Sequence, residues 1–193
     1  ERAVTAEDYE YLATQAGNVR RAKALPLFHP QFPDVQVPGA VSVIIIPDSD
    51  DPAPEPSDGL LRTVCACLDA RRTLTAELFV LKPHYQQVSV VVDIVVADDA
   101  DLTEVAEQVE HSLLDYFHPL RGGDDGQGWP FGYPIYYSKV YQRVFGERGV
   151  ASISTLAKVV FDGWPPVKQF EMRLRLDQTD TRLKSGMSAM ANV

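Results

Sequence analysis

Ala40-Val41-Ser42-Val43-Ile44-Ile45-Ile46, answered by Leu60-Leu61-Arg62-Thr63-Val64-Cys65-Ala66-Cys67-Leu68-Asp69-Ala70, decides the fold class. The first run is short, almost wholly apolar and rich in β-branched residues, which predicts a strand buried on both faces. In the second, Leu61, Val64, Cys65 and Leu68 recur at helical spacing. Ser57 or Asp58 can cap that helix, and Arg71 and Arg72 suit the negative end of its dipole. Residues 48–58 between them are acidic and rich in proline. Their prolines supply no ladder donors, so an exposed, extended connection is expected.

Downstream, residues 75–81 and 87–97 read as strands split by Lys82-Pro83-His84-Tyr85. Val88, Val90, Val92, Ile94 and Val96 share one face at period two. Asp101 and Glu104 then open a helix carrying Leu102, Val105, Ala106, Val109 and Leu113, which Phe117-His118-Pro119 ends. A glycine-rich stretch over residues 121–132 leads to a fourth helix with Tyr137, Val140, Tyr141 and Val144. Residues 150–161, the turn pair Asp162-Gly163 and the alternating Phe170, Met172, Leu174 and Leu176 predict a terminal hairpin. Residues 178–193 lack periodicity and read as a flexible tail.

Upstream, Thr5 and Asp8 form an acidic capping box before Tyr9, Leu12, Ala13 and Ala16, and Gly17 stops the helix. Residues 19–28 follow as a strand, then a connection holding Pro26, Pro30, Pro33 and Pro38. The order is α-β-β-α-β-β-α-α-β-β. Helices alternate with pairs of strands, which predicts an α+β fold of mixed or antiparallel sheets with helices on one face. Residues 40–120 are expected to close as a ferredoxin-like β-α-β-β-α core. Four segments follow: 1–39 (helix and strand), 40–120 (core), 121–177 (glycine-rich loop, helix and hairpin) and 178–193 (tail). No exact internal repeat is visible.

Composition narrows the function classes. Of 193 residues, 45% are apolar and 23% charged, a globular balance. No run approaches the roughly 18 apolar residues of a membrane helix. The net charge of −9 leaves no basic excess to release counterions from nucleic acid. Cys65 and Cys67 are too few for a disulfide framework, and at i, i+2 on a helix they point apart. His111 and His118 sit about 10 Å apart along a helix, too far to share zinc unaided. His29, His84, His111 and His118 therefore read as packing or surface residues. HExxH, CxxC, GxSxG, P-loop and GxGxxG patterns are all missing. The stretch 122–128 lacks the lysine of a P-loop and the acid spacing of an EF-hand. Its glycines allow backbone angles that other residues resist, with Trp129 and Phe131 expected to pin the loop to the core. Asp48, Asp50 and Asp51 read as a solvated acidic loop. No catalytic residue, cofactor or metal ligand is assigned.

Four stretches carry a resemblance: residues 2–10 with Arg2, Val4, Thr5, Asp8 and Tyr9; Pro38-Gly39 before the first apolar strand; residues 68–75 with Arg71 and Arg72; and Pro119-Leu120-Arg121-Gly122-Gly123 with Gly128-Trp129-Pro130-Phe131-Gly132. In this order the sequence resembles the baseplate assembly J-like family over roughly residues 2–165. These are wedge proteins of contractile phage tails and tail-like injection systems. Members are longer, and these features lie toward their C-terminal part. A chain beginning at Glu1 without Met fits a piece of such a protein. The resemblance implies a structural role, in which wedge proteins pair and link into the ring around the central hub. No catalytic residue carries over. Thr5, Asp8, Arg71, Arg72, Gly122, Gly123, Gly128, Trp129, Pro130 and Gly132 are implied to define the fold.

The expected partners are other baseplate wedge proteins, by self-association or as a hetero-oligomer, with no nucleic acid and no membrane. Assembly in the cytoplasm would precede incorporation into a phage tail or tail-like particle. The terminal hairpin offers the first candidate interface, at Phe170, Met172, Arg173, Leu174 and Arg175, because a terminal strand presents a free edge. The competing reading is a small-ligand-binding or enzymatic domain, since ferredoxin-like scaffolds host many functions.

Overall fold

Among the described residues, ten elements form in the expected order, and they divide between two sheets. A computed structural model describes residues 2–86, 88–156 and 175–177. The chain splits into two compact units, residues 1–85 and 86–193, each with its own apolar core.

In the first unit, α1 (Ala6–Gln15) precedes β1 (Val19–Pro26), β2 (Ala40–Pro47), α2 (Asp58–Asp69) and β3 (Glu77–Leu81). The central strand β2 pairs antiparallel with β1 and parallel with β3. The parallel pair needs a crossover, and α2 supplies it. Alternation then fixes the faces. Val43 and Ile45 of β2 are buried with Ala24, Val64, Leu68, Tyr9, Leu12 and Ala13 under the two helices. Ser42 points to the opposite face, in register with Phe79 of β3, and it too is fully buried. Something other than a helix must cover that face. Residues 27–37 do so: the His29 ring packs edge-on against Phe79, with centroids 4.6 Å apart. The expectation of a strand buried on both faces therefore holds, with helices on one side and a loop on the other.

The second unit holds β4 (Val92–Val96), α3 (Leu102–Phe117), α4 (Tyr137–Phe145), β5 (Val150–Leu156) and β6 (Arg175–Asp177). Val90, Val92, Ile94 and Val96 share the core with Val105, Val109 and Leu113 of α3 and with Val140 and Val144 of α4. The period-two valine face is thus the helix-covered face, as its spacing predicts.

Three expectations need correction. The ferredoxin-like core does not close, because β3 and β4 belong to different sheets. Alternation assigns each strand a buried face but names no neighbour. The connection is also tied back, since the Tyr85 hydroxyl donates to the Pro54 carbonyl at 2.7 Å. Among the described residues, the two strands of the expected terminal hairpin do not pair with each other either. The sheet order is β5-β4-β6, so β4 separates the two strands, antiparallel to β5 and parallel to β6. Finally, residues 48–58 are not simply solvated. Their acids are exposed, but Pro54 and Pro56 are fully buried, so the segment is extended and pinned. The expected tail at 178–193 lies outside the described residues.

Candidate interaction surfaces

Three of the four sequence motifs converge in the first unit. The Thr5 hydroxyl accepts from the Asp8 amide at 3.2 Å, and Asp8 accepts from the amides of Thr5 (2.8 Å) and Val4 (3.0 Å). The Thr5 and Val4 amides hold the Asp8 carboxyl below the usual range. The Ala3 amide donates to the Arg71 carbonyl at 3.0 Å, fastening the first motif to the third. Arg71 returns its guanidinium to the Cys67 carbonyl at 2.8 Å, satisfying an orphan acceptor at the end of α2. Arg72 pairs with Asp69 and donates to the Ala76 carbonyl. Gly39, the second motif, lies at φ +86°, and a Cβ there would press on the Thr75 carbonyl. Thr5, Asp8, Arg71 and Arg72 thus tie chain segments to one another. A cleft of about 430 Å³ beside α1, lined by Arg2, Glu7, Asp8, Tyr11 and Leu12, includes an acid already engaged by the cap.

The fourth motif shapes the end of α3. The Gly122 amide donates to the His118 carbonyl at 2.9 Å and the Gly123 amide to Tyr116 at 2.8 Å. A Cβ on Gly122 would overlap the carbonyl oxygens of Asp115, Tyr116 and His118, so only glycine passes so close. Gly128 donates to the Gly122 carbonyl at 2.8 Å, closing the loop. Trp129 is half-buried, edge-on to Tyr116 at 5.3 Å and tilted against Phe117 at 5.1 Å. Pro130 and Gly132 are, respectively, exposed beside Trp129 and at φ +65°. The loop acids are committed: Asp124 takes the Tyr116 hydroxyl and the Lys139 ammonium, each at 3.1 Å, and Asp125 caps the Gln127 amide. Burial, with the Asp124 bond second, pushes the Tyr116 hydroxyl up to about 12. Among the described residues, no group of three or more His, Cys, Asp and Glu side chains is placed to hold a metal ion.

The candidate interface residues Phe170, Met172, Arg173 and Leu174 lie outside the described residues. Arg175 opens β6, where its backbone is in register with Asp93.

Two surfaces escaped the sequence reading. Along α4, Tyr137, Tyr141 and Phe145 stack at i, i+4 and i+8, with centroids 6.3 and 6.1 Å apart. Tyr137 and Phe145 are half exposed. The second is the loop at residues 27–37. Leu27 begins it at φ +65°, the one described non-glycine residue in the left-handed region. Its amide donates to Ala40 and its carbonyl accepts from Val37, both at 2.8 Å, so the loop's two ends are bonded together. The buried Ser42 hydroxyl donates to the Phe28 carbonyl at 2.8 Å. His29 is buried, and its Nδ1 accepts from the Gln31 amide. Phe117-His118-Pro119 repeats this turn, with His118 Nδ1 accepting from Leu120 at 3.1 Å. The shared Phe-His-Pro triplet was the available signal. Above this base Leu27, Phe32 and Val35 are exposed.

These features define an α+β protein of two sheet-and-helix units whose marked residues hold backbone to backbone. No family model matches the chain, and neither does any curated protein. Among solved structures it is similar to a chain in the six-fold symmetrised cryo-EM structure of the anti-feeding prophage (AFP) baseplate, with a TM-score of 0.64 and 16% identity. The match covers 92% of this chain and 38% of that one. At that identity the likeness is one of fold. None of the described helices is long and apolar enough to cross a membrane.

Proposed function

We propose that this chain is a structural component of the baseplate of a contractile tail or tail-like injection machine. Within it, the chain acts as a wedge protein that associates with other wedge proteins. The carrying observation is the fold, shared over 92% of the chain with a chain of the AFP baseplate. The motif residues support the reading by what they touch. Thr5, Asp8, Arg71, Arg72, Gly122 and Trp129 each engage this chain's own backbone or rings, the use a scaffold makes of such residues.

The test is co-expression with the products of neighbouring genes, followed by affinity purification and size exclusion. Co-elution with a second baseplate protein in fixed stoichiometry is expected. A chain that elutes alone against every such protein contradicts the proposal.

A further inference from the structure

We infer that residues 27–37 form a rigid docking loop that seats its apolar tip in a pocket of a partner baseplate protein. The inference rests on the proposed function for the partner's identity and on the loop's own geometry for the rest. Segments of this length whose ends are bonded together, packed by their own side chains, are frequently functional. Here the closure is unusually complete. Leu27 is bonded on both sides, Ser42 holds Phe28 from the core, and Phe32 and Val35 amides donate to His29 and Phe32 carbonyls at 2.9 and 3.2 Å. Pro30 and Pro33 lie within it, with Pro26 and Pro38 flanking.

Leu27 carries the sharpest sign. A left-handed conformation is costly for a side chain with a Cβ, and backbone strain of this kind persists only where the surroundings over-determine it. From this strained start the loop leaves Leu27, Phe32 and Val35 facing solvent, at 39%, 55% and 61% exposure. A loop ordered beforehand loses little freedom on binding.

Composition selects the occupant. The segment's sole charge is Asp34, in a chain that is 23% charged. Charge depletion with an aromatic anchor is the make-up of an interface core. A membrane is the poorer fit, since inserting elements carry Lys or Arg toward anionic lipid, and both Asp34 and the net charge of −9 have the wrong sign. A second copy is also the poorer fit. The cleft beside α1 sets two acids, Glu7 and Asp8, and one base, Arg2, around Tyr11 and Leu12, so Asp34 would meet like charge there. The matching surface is an apolar pocket with a basic rim to meet Asp34. Three exposed side chains fall short of the roughly 800 Å² per partner of a standard interface, so the loop is its anchor and neighbouring surface completes it.

The experiment compares wild type, Phe32→Ser/Val35→Ser and Val35→Asp. Each is tested against tagged baseplate proteins encoded beside it, against itself by light scattering, and against phosphatidylcholine and phosphatidylglycerol vesicles. Val35→Asp guards against loosening the loop, because Phe32 also touches the His29 ring. The expected result is capture of one baseplate protein by wild type, at least tenfold weaker binding by both variants, and unchanged melting of Val35→Asp. Equal capture by wild type and variants overturns the docking loop while leaving the baseplate reading intact. Capture of no baseplate protein overturns both. Loop-dependent dimers or vesicle binding without such capture overturn the inference in favour of a second copy or a lipid surface.

Discussion

Ser42 and Leu27 show how single residues set this loop, and they predict opposite responses to substitution. Ser42 is a hydroxyl in an otherwise apolar strand, and its partner is the Phe28 carbonyl. Ser42→Ala leaves that carbonyl without its donor, so a loss of about 1–2 kcal/mol is expected. Leu27→Gly removes the steric cost of φ +65°, worth about 1–2 kcal/mol, against about 0.5–1 kcal/mol for glycine's freedom in the unfolded chain. A small net gain should result. Urea midpoints at fixed slope measure both, and destabilisation by Leu27→Gly would remove the strain argument. Neither role was legible in sequence. Ser42 reads as an interruption of an apolar run, because its partner is 14 residues away. Nothing marks a leucine for the left-handed region as Gly or Asn would.

At the scale of elements, periodicity made the order of helices and strands readable, as did the caps at Thr5, Ser57 and Asp101. Pairing was not readable. Val90, Val92, Ile94 and Val96 declare a buried face whichever sheet they join, and the Tyr85 bond that diverts the connection appears only in three dimensions. The glycine-rich loop was legible as a stretch of unusual backbone, because its glycines allow angles that other residues resist. Trp129 packs on Tyr116 and Phe117 but is only half-buried. Trp129→Ala should therefore cost about 2–3 kcal/mol, below the roughly 3–5 of a fully buried aromatic. A melting temperature within a degree of wild type would refute that packing role.

Tyr85 and Tyr116 pin these connections, and burial, the leading cause at both, pushes both hydroxyls up to about 12. A folded-state pKa above the unfolded value of about 10 means the folded chain holds the proton more tightly. The resulting stability is complete below pH about 10 and is lost as pH rises toward about 12. Burial raises the Tyr9 hydroxyl as well, so tyrosine absorbance should show three of the eight tyrosines titrating late. Unfolding free energy should decline over the same window more steeply than in Tyr85→Phe/Tyr116→Phe.

For the molecule as a whole, composition and charge spoke against membrane spanning and nucleic-acid wrapping, and the motif order pointed to a baseplate. The division into units at residues 85 and 86 was hidden, because no composition shift marks it. The likeness to an AFP baseplate chain is carried by fold at 16% identity, and function at that distance must be read from the particle itself. The most direct measurement is electron microscopy of the source's tail-like particles, with the gene encoding this chain either deleted or tagged for gold labelling. The account predicts gold at one end of intact particles and, on deletion, sheaths and tubes without baseplates. Complete, baseplate-bearing particles from the deletion strain would contradict it.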